Sequence, residues 1–434
     1  MPSVPIERHA LPNGLRIVLS QDDRAPIVAV NLWYDVGSKH ENAGKTGFAH
    51  LFEHMMFQGS LHVEKGEHMS LVQGSGGTLN ASTWLDRTNY YETLPSHELE
   101  LALWLEADRM ASLLPAMTQE KLDNQRDVVK NERRWSVDNQ PYGDWDERMQ
   151  ALVFPETHPY HHPTIGSMED LGAASLDDVR TFFATWYAPN NAVLTIAGDF
   201  EPSAALSMVE RHFGGIPANR DLPGRPAAEV ASRIGEEVRV TVPDRVPLPR
   251  IYLAHRSPVF GTDAFDALEV AADLLGLGRA SRLYSSLVRE QRLAQDVSVF
   301  LFPIIGGASI FALWTTARPG GDAAQLEAAL LAEIDRLASE GPSGEELERV
   351  RNLHTSQIES SLERVAERAD RVSMYACLFD DPQRINSEVA RYRAVDAARV
   401  RAAMADALRA DNRVVLTYLP QVGEANPADG EEAA

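Results

Sequence analysis

Three residues carry the sharpest chemical signal in the chain: His50, Glu53 and His54, within Gly47-Phe48-Ala49-His50-Leu51-Phe52-Glu53-His54-Met55-Met56-Phe57. The segment reads as a helix, and residues four apart on a helix share a face. Both imidazoles therefore point the same way, and Glu53, three residues after His50, projects beside them. Neutral imidazoles are good zinc ligands. A carboxylate next to such a pair can act as a general base toward an activated water. In 434 residues with 13 histidines, this pentapeptide arises by chance on the order of a few per cent of the time.

The alternative is a helix whose histidines are merely capped or solvated. Its neighbours argue otherwise. Phe48, Leu51, Phe52, Met55, Met56 and Phe57 crowd the segment, and two imidazoles and a carboxylate are costly to bury there without a partner. A metal supplies that partner. A catalytic zinc keeps three protein ligands and one open position, so a third ligand is required. The candidate is Glu132. On a helix expected over Thr118 to Val137, Leu122, Gln125, Val129 and Glu132 form one stripe at spacings of 3, 4 and 3. That places an acid on the core-facing side, whereas Glu120 falls off the stripe. The competing reading is a Glu132 paired with a nearby arginine.

These side chains need a frame. Leu15–Leu19, Ile27–Val36, Thr78–Trp84, Thr88–Leu94 and Ala192–Ala197 read as strands. His97–Leu113, Leu176–Trp186 and Pro202–Phe213 read as helices, with Pro189-Asn190-Asn191 punctuating the end of the second. A linker follows, in which Ile216 to Pro226 holds three prolines and a glycine. The same order then recurs. Leu253 stands 221 residues after Leu32, and Asn412, just before the strand Arg413–Thr417, stands 221 after Asn191. The expectation is an internal duplication, against a chance likeness of two strand–helix rhythms. The predicted fold class is α+β, with two similar domains, each a mainly antiparallel sheet with helices packed on one side. The divisions are 1–215, a linker at 216–230, and 231–434. At the repeat offset His50, Glu53 and His54 fall on Ala271, Leu274 and Leu275, so the second half cannot repeat the metal set.

Composition narrows the function. Lys and Arg number 41 against 63 Asp and Glu, a net charge of −22. A body that acidic repels phosphate backbones, so nucleic acid is not an expected partner. One cysteine, Cys377, excludes an internal disulfide and a Cys-rich zinc site. No run of 18 apolar residues appears, so no membrane span is expected. The first residues show no signal-peptide pattern. The expected compartment is the periplasm if a leader has been removed, and otherwise the cytoplasm. Three further segments read as unremarkable: His158-Pro159-Tyr160-His161-His162-Pro163 as a solvated loop, Ser356–Arg371 as a long helix with a solvated charged face, and Gly423–Ala434 as a disordered acidic tail.

The chain resembles the pitrilysin/insulinase family of zinc peptidases, whose signature is H-x-x-E-H, and more narrowly its shorter bacterial members related to the mitochondrial processing peptidase. The segments carrying the likeness are Leu11–Arg16, Gly47–Phe57, Gly76–Thr83, Val128–Arg134 and Ser281–Tyr284. The resemblance implies one zinc per chain, bound by His50, His54 and Glu132, with Glu53 as the base of a peptide hydrolysis. It implies a strand, Thr78–Trp84, that offers its edge to an extended peptide, with Asn80 and Ala81 against the substrate. It also implies a peptide-sized chamber between the halves. Two departures matter. Active members carry an arginine and, seven residues on, a tyrosine in the second half; Val288 and Gln295 stand there, and Arg289 is one position off. Gln125 stands where many members have a glutamate, and is expected to hydrogen-bond a metal ligand. The expected partners are therefore peptide substrates and a paralogous, non-catalytic subunit that supplies Arg and Tyr in a heterodimer, or a second copy in a homodimer. The rival readings are a non-catalytic scaffold or substrate-binding subunit, and a zinc hydrolase of non-peptide substrates.

Overall fold

The computed structural model describes residues 3–421, so the acidic tail from Gly423 lies outside the described residues. The first half holds strands β1 (Glu7–Ala10), β2 (Arg16–Gln21), β3 (Ile27–Tyr34), β4 (Thr78–Thr83), β5 (Thr88–Pro95) and β6 (Ala192–Gly198). Its helices are α1 (Phe48–Met55), α2 (Glu67–Gly74), α3 (Leu99–Ala116), α4 (Gln119–Arg133), α5 (Trp145–Val153), α6 (Met168–Ala173), α7 (Leu176–Trp186) and α8 (Pro202–Phe213). The second half holds β7 (Val238–Asp244), β8 (Arg250–Ser257), β9 (Ala294–Phe302), β10 (Ser309–Ala317) and β11 (Arg413–Pro420). Its helices are α9 (Asp263–Gly276), α10 (Ala323–Glu340), α11 (Gly344–Glu363), α12 (Val365–Phe379), α13 (Glu388–Arg393) and α14 (Ala397–Ala407). No helix among the described residues is long and apolar enough to cross a membrane.

The first sheet runs β1-β2-β6-β3-β5-β4 and the second β7-β11-β8-β10-β9. Without β1 the two orders are the same. Each has one parallel pair, β2 with β6 and β7 with β11, and antiparallel neighbours elsewhere. The likeness reaches single hydrogen bonds. Asn191 Nδ2 donates to Trp186 O at 2.8 Å and Asp35 O at 3.2 Å. Asn412 Nδ2 donates to Ala407 O at 2.7 Å and Arg256 O at 2.8 Å, and each residue of this second set stands 221 after its counterpart. Each asparagine ties the end of a helix to the end of a strand through two backbone carbonyls.

Strand alternation divides the core in two. Val28, Val30, Leu32 and Tyr34 of β3 pack with Phe48, Leu51 and Phe52 of α1 and with Leu99 to Leu113 of α3. Ala29 and Trp33 point the other way, onto Val365, Ala369, Val372 and Tyr375 of α12. The second sheet mirrors this. Ile251 and Leu253 pack with α9, α10 and α14, while Tyr252 and Ala254 face Met149 and Val153 of α5. Each half thus keeps its own helices on one face of its sheet and receives one helix from the other half on the opposite face.

Two expectations change. Ser356–Arg371 is not one solvated helix: the chain breaks at Arg364, where φ is −81° and ψ is 121°. Two of the charged residues beyond the break are bonded to the first half. Asp370 Oδ1 accepts from Asn31 Nδ2 at 3.2 Å, Trp33 Nε1 at 2.9 Å and Asn89 Nδ2 at 2.9 Å, and Arg368 Nη1 donates to Asp22 Oδ2 at 2.7 Å. The halves, moreover, are packed on each other where a chamber was expected. Trp84 stacks on Phe302 with centroids 5.6 Å apart. Buried Asp86 accepts from Lys39 Nζ and Tyr160 OH, each at 2.6 Å, and from Ile305 N of the second half at 3.4 Å.

Interlocked halves should unfold together. Asn191→Ala and Asn412→Ala each remove two buried hydrogen bonds and are expected to cost about 2–3 kcal/mol. Both should shift one common urea transition monitored by circular dichroism; two transitions, each moved by only one variant, would show that the halves are independent.

Candidate metal centre

The position of α1 is set at its N-terminus. The first turn of a helix leaves N–H groups without partners. Glu41 fills them from six residues upstream: its Oε2 accepts from Gly47 N at 2.8 Å and its Oε1 from Ala49 N at 2.7 Å. Burial pushes the Glu41 carboxyl well above its usual range, and these N–H bonds pull it back. Gly47 has a φ of +87°, and a Cβ there would lie 2.7 Å from Ile165 O. Gly166, at φ +72°, would bring a Cβ to 2.3 Å from Gly47 N. Two glycines are thus needed for the 165–167 loop to run against the start of α1. Arg133 Nη1 donates to Gly166 O at 2.8 Å, so the same loop also holds the end of α4. The two helices that carry the candidate ligands are fixed through one stretch of backbone.

The structure brings His50, His54 and Glu132 together. His50 Nε2 lies 3.6 Å from Glu132 Oε1, and His54 Nε2 lies 3.2 Å from Glu132 Oε2. The imidazoles stand nearly perpendicular, at 88°, with centroids 4.8 Å apart. Ligands about 2.0–2.2 Å from a tetrahedral ion sit about 3.3–3.6 Å from one another, close to these spacings. Burial, and after it His54, lowers the His50 pKa to about 4. The ring is therefore neutral, the form a metal requires. The Glu132 carboxyl is held below its usual range, first by its hydrogen bond with His54. No lysine or arginine pairs with Glu132 among the described residues, which removes the competing reading of an arginine partner. Two imidazoles and one carboxylate, converging without another cation, fit a zinc ion.

Glu53 sits beside this set. Its Oε2 accepts from Thr83 Oγ1 at 2.7 Å. Burial raises its pKa, and Thr83 opposes the rise. Thr83 ends β4, the outermost strand of the sheet, so one hydrogen bond joins the candidate base to the exposed sheet edge. Asn80 and Ala81 lie on that strand, opposite Tyr91 and Tyr90 of β5. Asn80 is exposed, and its Oδ1 accepts from Ala81 N at 2.9 Å.

Gln125 does not reach a ligand. It is buried, its Nε2 donates to Asn124 Oδ1 at 3.1 Å, and no hydrogen bond joins it to His50, His54 or Glu132. The seven residues to Glu132 span about 10 Å of helix, which separates Gln125 from that ligand. Val288 is buried in the core of the second half, while Arg289 and Gln295 are exposed. Ala271, Leu274 and Leu275 are fully buried in that core. The histidine-rich loop is not solvated: His158 is buried and bonds Ala228 O at 2.9 Å, and His162 Nδ1 lies 3.6 Å from Glu41 Oε2.

Thr83 and Glu41 escaped the sequence reading. Thr83 was legible only as a strand residue, because its partner is thirty positions away. Glu41 caps from outside the usual capping window, so no local motif marks it. A second buried group, His68, Glu92 and Glu106, also escaped it. Arg109 bonds Glu106 through both Nε and Nη2, and that fixed positive charge disfavours a cation, so the group reads as a core ion-pair network.

Comparison with known proteins identifies the family. Residues 16–153 match the family described as insulinase, peptidase family M16, and residues 173–353 match the peptidase M16 inactive domain. The zinc protease PqqE of Helicobacter pylori is 32% identical over 372 residues, covering 82% of this chain and 80% of that protein. An uncharacterized zinc protease of Mycobacterium leprae is 29% identical over 316 residues, covering 71% and 69%. The crystal structure of a protease from Helicobacter pylori superposes with a TM-score of 0.90 at 26% identity, covering 96% of this chain and all of that one. The first half of the periplasmic protease PqqL from Escherichia coli shares the fold, with a TM-score of 0.76 at 19% identity and coverage of 96% and 93%. The chain belongs to peptidase family M16, the insulinase family of zinc proteases.

Proposed function

We propose that the chain is a zinc-dependent endopeptidase acting on short or unfolded peptides, one zinc per chain, and the catalytic subunit of a two-subunit enzyme. His50, His54 and Glu132 would hold the ion. When bound, zinc supplies Lewis acidity at the scissile carbonyl and at the attacking water. The remaining work falls to the chain. A peptide adds as a further strand to the edge of β4, near Asn80 and Ala81, through main-chain bonds that demand little of its sequence. Glu53 takes the proton of the attacking water; Thr83 occupies Oε2, which leaves Oε1 free for it. The water oxygen bonds to the carbonyl carbon, the C–N bond breaks, and the proton passes from Glu53 to the departing amine. The observation that carries this reading is Glu53 fixed by Thr83 between the candidate ligands and the exposed strand.

The partner follows from what the chain lacks. The side chains of His54 and Glu132 are 24% and 38% exposed, so the centre faces solvent. Val288 and Gln295 offer no arginine and tyrosine to cover it. A paralogous subunit without H-x-x-E-H would supply both, with a second copy of this chain as the other arrangement. The same lack favours the scaffold reading, against which stands the intact Glu53. We place the domain boundaries at 1–215 and 231–434, and the compartment as periplasmic if a leader is removed.

Glu53→Gln is expected to lower cleavage of a quenched fluorescent peptide by about 10³-fold, while metal analysis still finds one zinc per chain; unchanged cleavage would favour a scaffold. Glu132→Gln should weaken zinc retention at least about tenfold in dialysis against a chelator, and full retention would remove Glu132 from the ligand set.

A further inference from the structure

Glu132 lies in the last turn of α4, where the chain passes into a π-helical turn over Arg134–Asp138. A π turn interrupts the α-helical ladder, and a helix end guides its side chains least. The bonds from Ser136 Oγ to Glu132 O at 2.7 Å and from Asn139 N to Arg134 O at 2.9 Å are local to the turn. The longer reach belongs to the neighbouring Arg133, whose side chain is mostly buried. Its Nη1 is taken by Gly166 O, from the loop at the start of α1. Its Nη2 donates to Glu147 Oε2 at 2.8 Å, and Asp138 Oδ1 lies 3.6 Å from its Nε. Glu147 belongs to α5. One guanidinium therefore joins the helix that carries Glu132 to the helix that crosses onto the second sheet.

The second half gives α5 its place. At the N-terminal end Tyr418 OH donates to Asp144 Oδ1 at 2.5 Å, and at the C-terminal end Arg256 Nε donates to Val153 O at 2.8 Å. The Trp145 ring stacks on Tyr252, with centroids 5.1 Å apart and planes 9° from parallel. Ahead of the helix, Tyr142 donates its hydroxyl to Leu248 O at 2.7 Å and holds a φ of +62°. That left-handed conformation is unfavourable for a tyrosine and persists where the surroundings impose it. Beside the Arg133–Glu147 pair lies a cavity of about 600 Å3, lined also by Asp138 and, from β7, by Val242 and Asp244. With that space at its side, the pair is held by charge and hydrogen bonding rather than by close packing.

We propose that Glu147 is a positioning residue for Glu132: through Arg133 it passes to the metal ligand the placement that the second half gives to α5. The half that has no ligand of its own thereby sets one of the three. The inference rests on the reading of Glu132 as a ligand, and its test separates the two. Zinc affinity is measured on the full chain by competition with a chelator. Cobalt(II) is then loaded in place of zinc, because its visible absorption reports the geometry of its ligands. Glu147→Ala should weaken zinc binding about tenfold and change the cobalt(II) spectrum. Tyr418→Phe removes only the hydroxyl bonded to Asp144, and should weaken zinc binding in the same direction. The double variant should bind no more weakly than Glu147→Ala alone, since both act through one link. A chain that is merely destabilised would keep the native spectrum in its folded fraction, and circular dichroism verifies that each variant is folded. Unchanged affinity and spectrum in Glu147→Ala, or a Tyr418→Phe effect that persists in full beside it, would overturn the link. Glu132→Gln is the control. If it alters neither affinity nor spectrum, the ligand reading fails and the link with it; if it alters both and Glu147→Ala alters neither, the link alone fails.

Discussion

A sheet with two apolar faces must be covered on both, and helices drawn from its own half cover only one. In this protein the second face of each sheet is closed by a helix from the other half: α12 on the first sheet and α5 on the second. The rest follows. Because the exchange is mutual, neither half has a complete core alone. Because α12 must sit on a face that carries Asn31, Trp33 and Asn89, it brings Asp370 as their acceptor. The exchange packs the halves on each other, and the candidate ligands His54 and Glu132 keep part of their side chains open to solvent.

Within that frame, the candidate metal centre is a small polar group held by apolar neighbours. Phe48, Leu51, Phe52 and Met55 bury α1, and the price in desolvation is visible in the lowered pKa of His50 and the raised pKa of Glu53. Neither shift arises from a distant feature; burial is the first cause of both. What distance contributes is position. Glu41, Gly166 and Arg133 fix the helices, and Thr83 aims the carboxylate. Four residues outside the H-x-x-E-H motif therefore decide whether its donors converge.

Legibility in the sequence divided along the same line. Strands and helices with clean periods were found to within a few residues, and the duplication was readable because Asn191 and Asn412 do the same work in each half. The pair His50 and His54 was legible because helical spacing is a local property, and Glu132 because its stripe is. Long-range partners were not legible. The run Ser356–Arg371 looked solvated because nothing in its own spacing announces that Asp370 meets three donors on the first sheet and Arg368 meets Asp22 beside it, all of them 281 or more residues earlier. The histidines at 158, 161 and 162 looked like loop residues because their acceptors belong to other segments. Gln125 lies on the buried face as its stripe requires, but its amide bonds Asn124 rather than a candidate ligand.

The duplicated helix α9 carries a further consequence. Its Ala271, Leu274 and Leu275 occupy the positions of the ligands and base of α1 and are sealed in the second core. Restoring a metal set there would take three substitutions on α9 and a new carboxylate from another helix. Each alone would bury a polar group without its partners, at a cost of a few kcal/mol, before any ion could bind. Selection would remove the intermediates one at a time. With those positions packed by aliphatic side chains, the second half is held away from a metal set, and a further donor group is more readily supplied from elsewhere in the protein or by a second polypeptide.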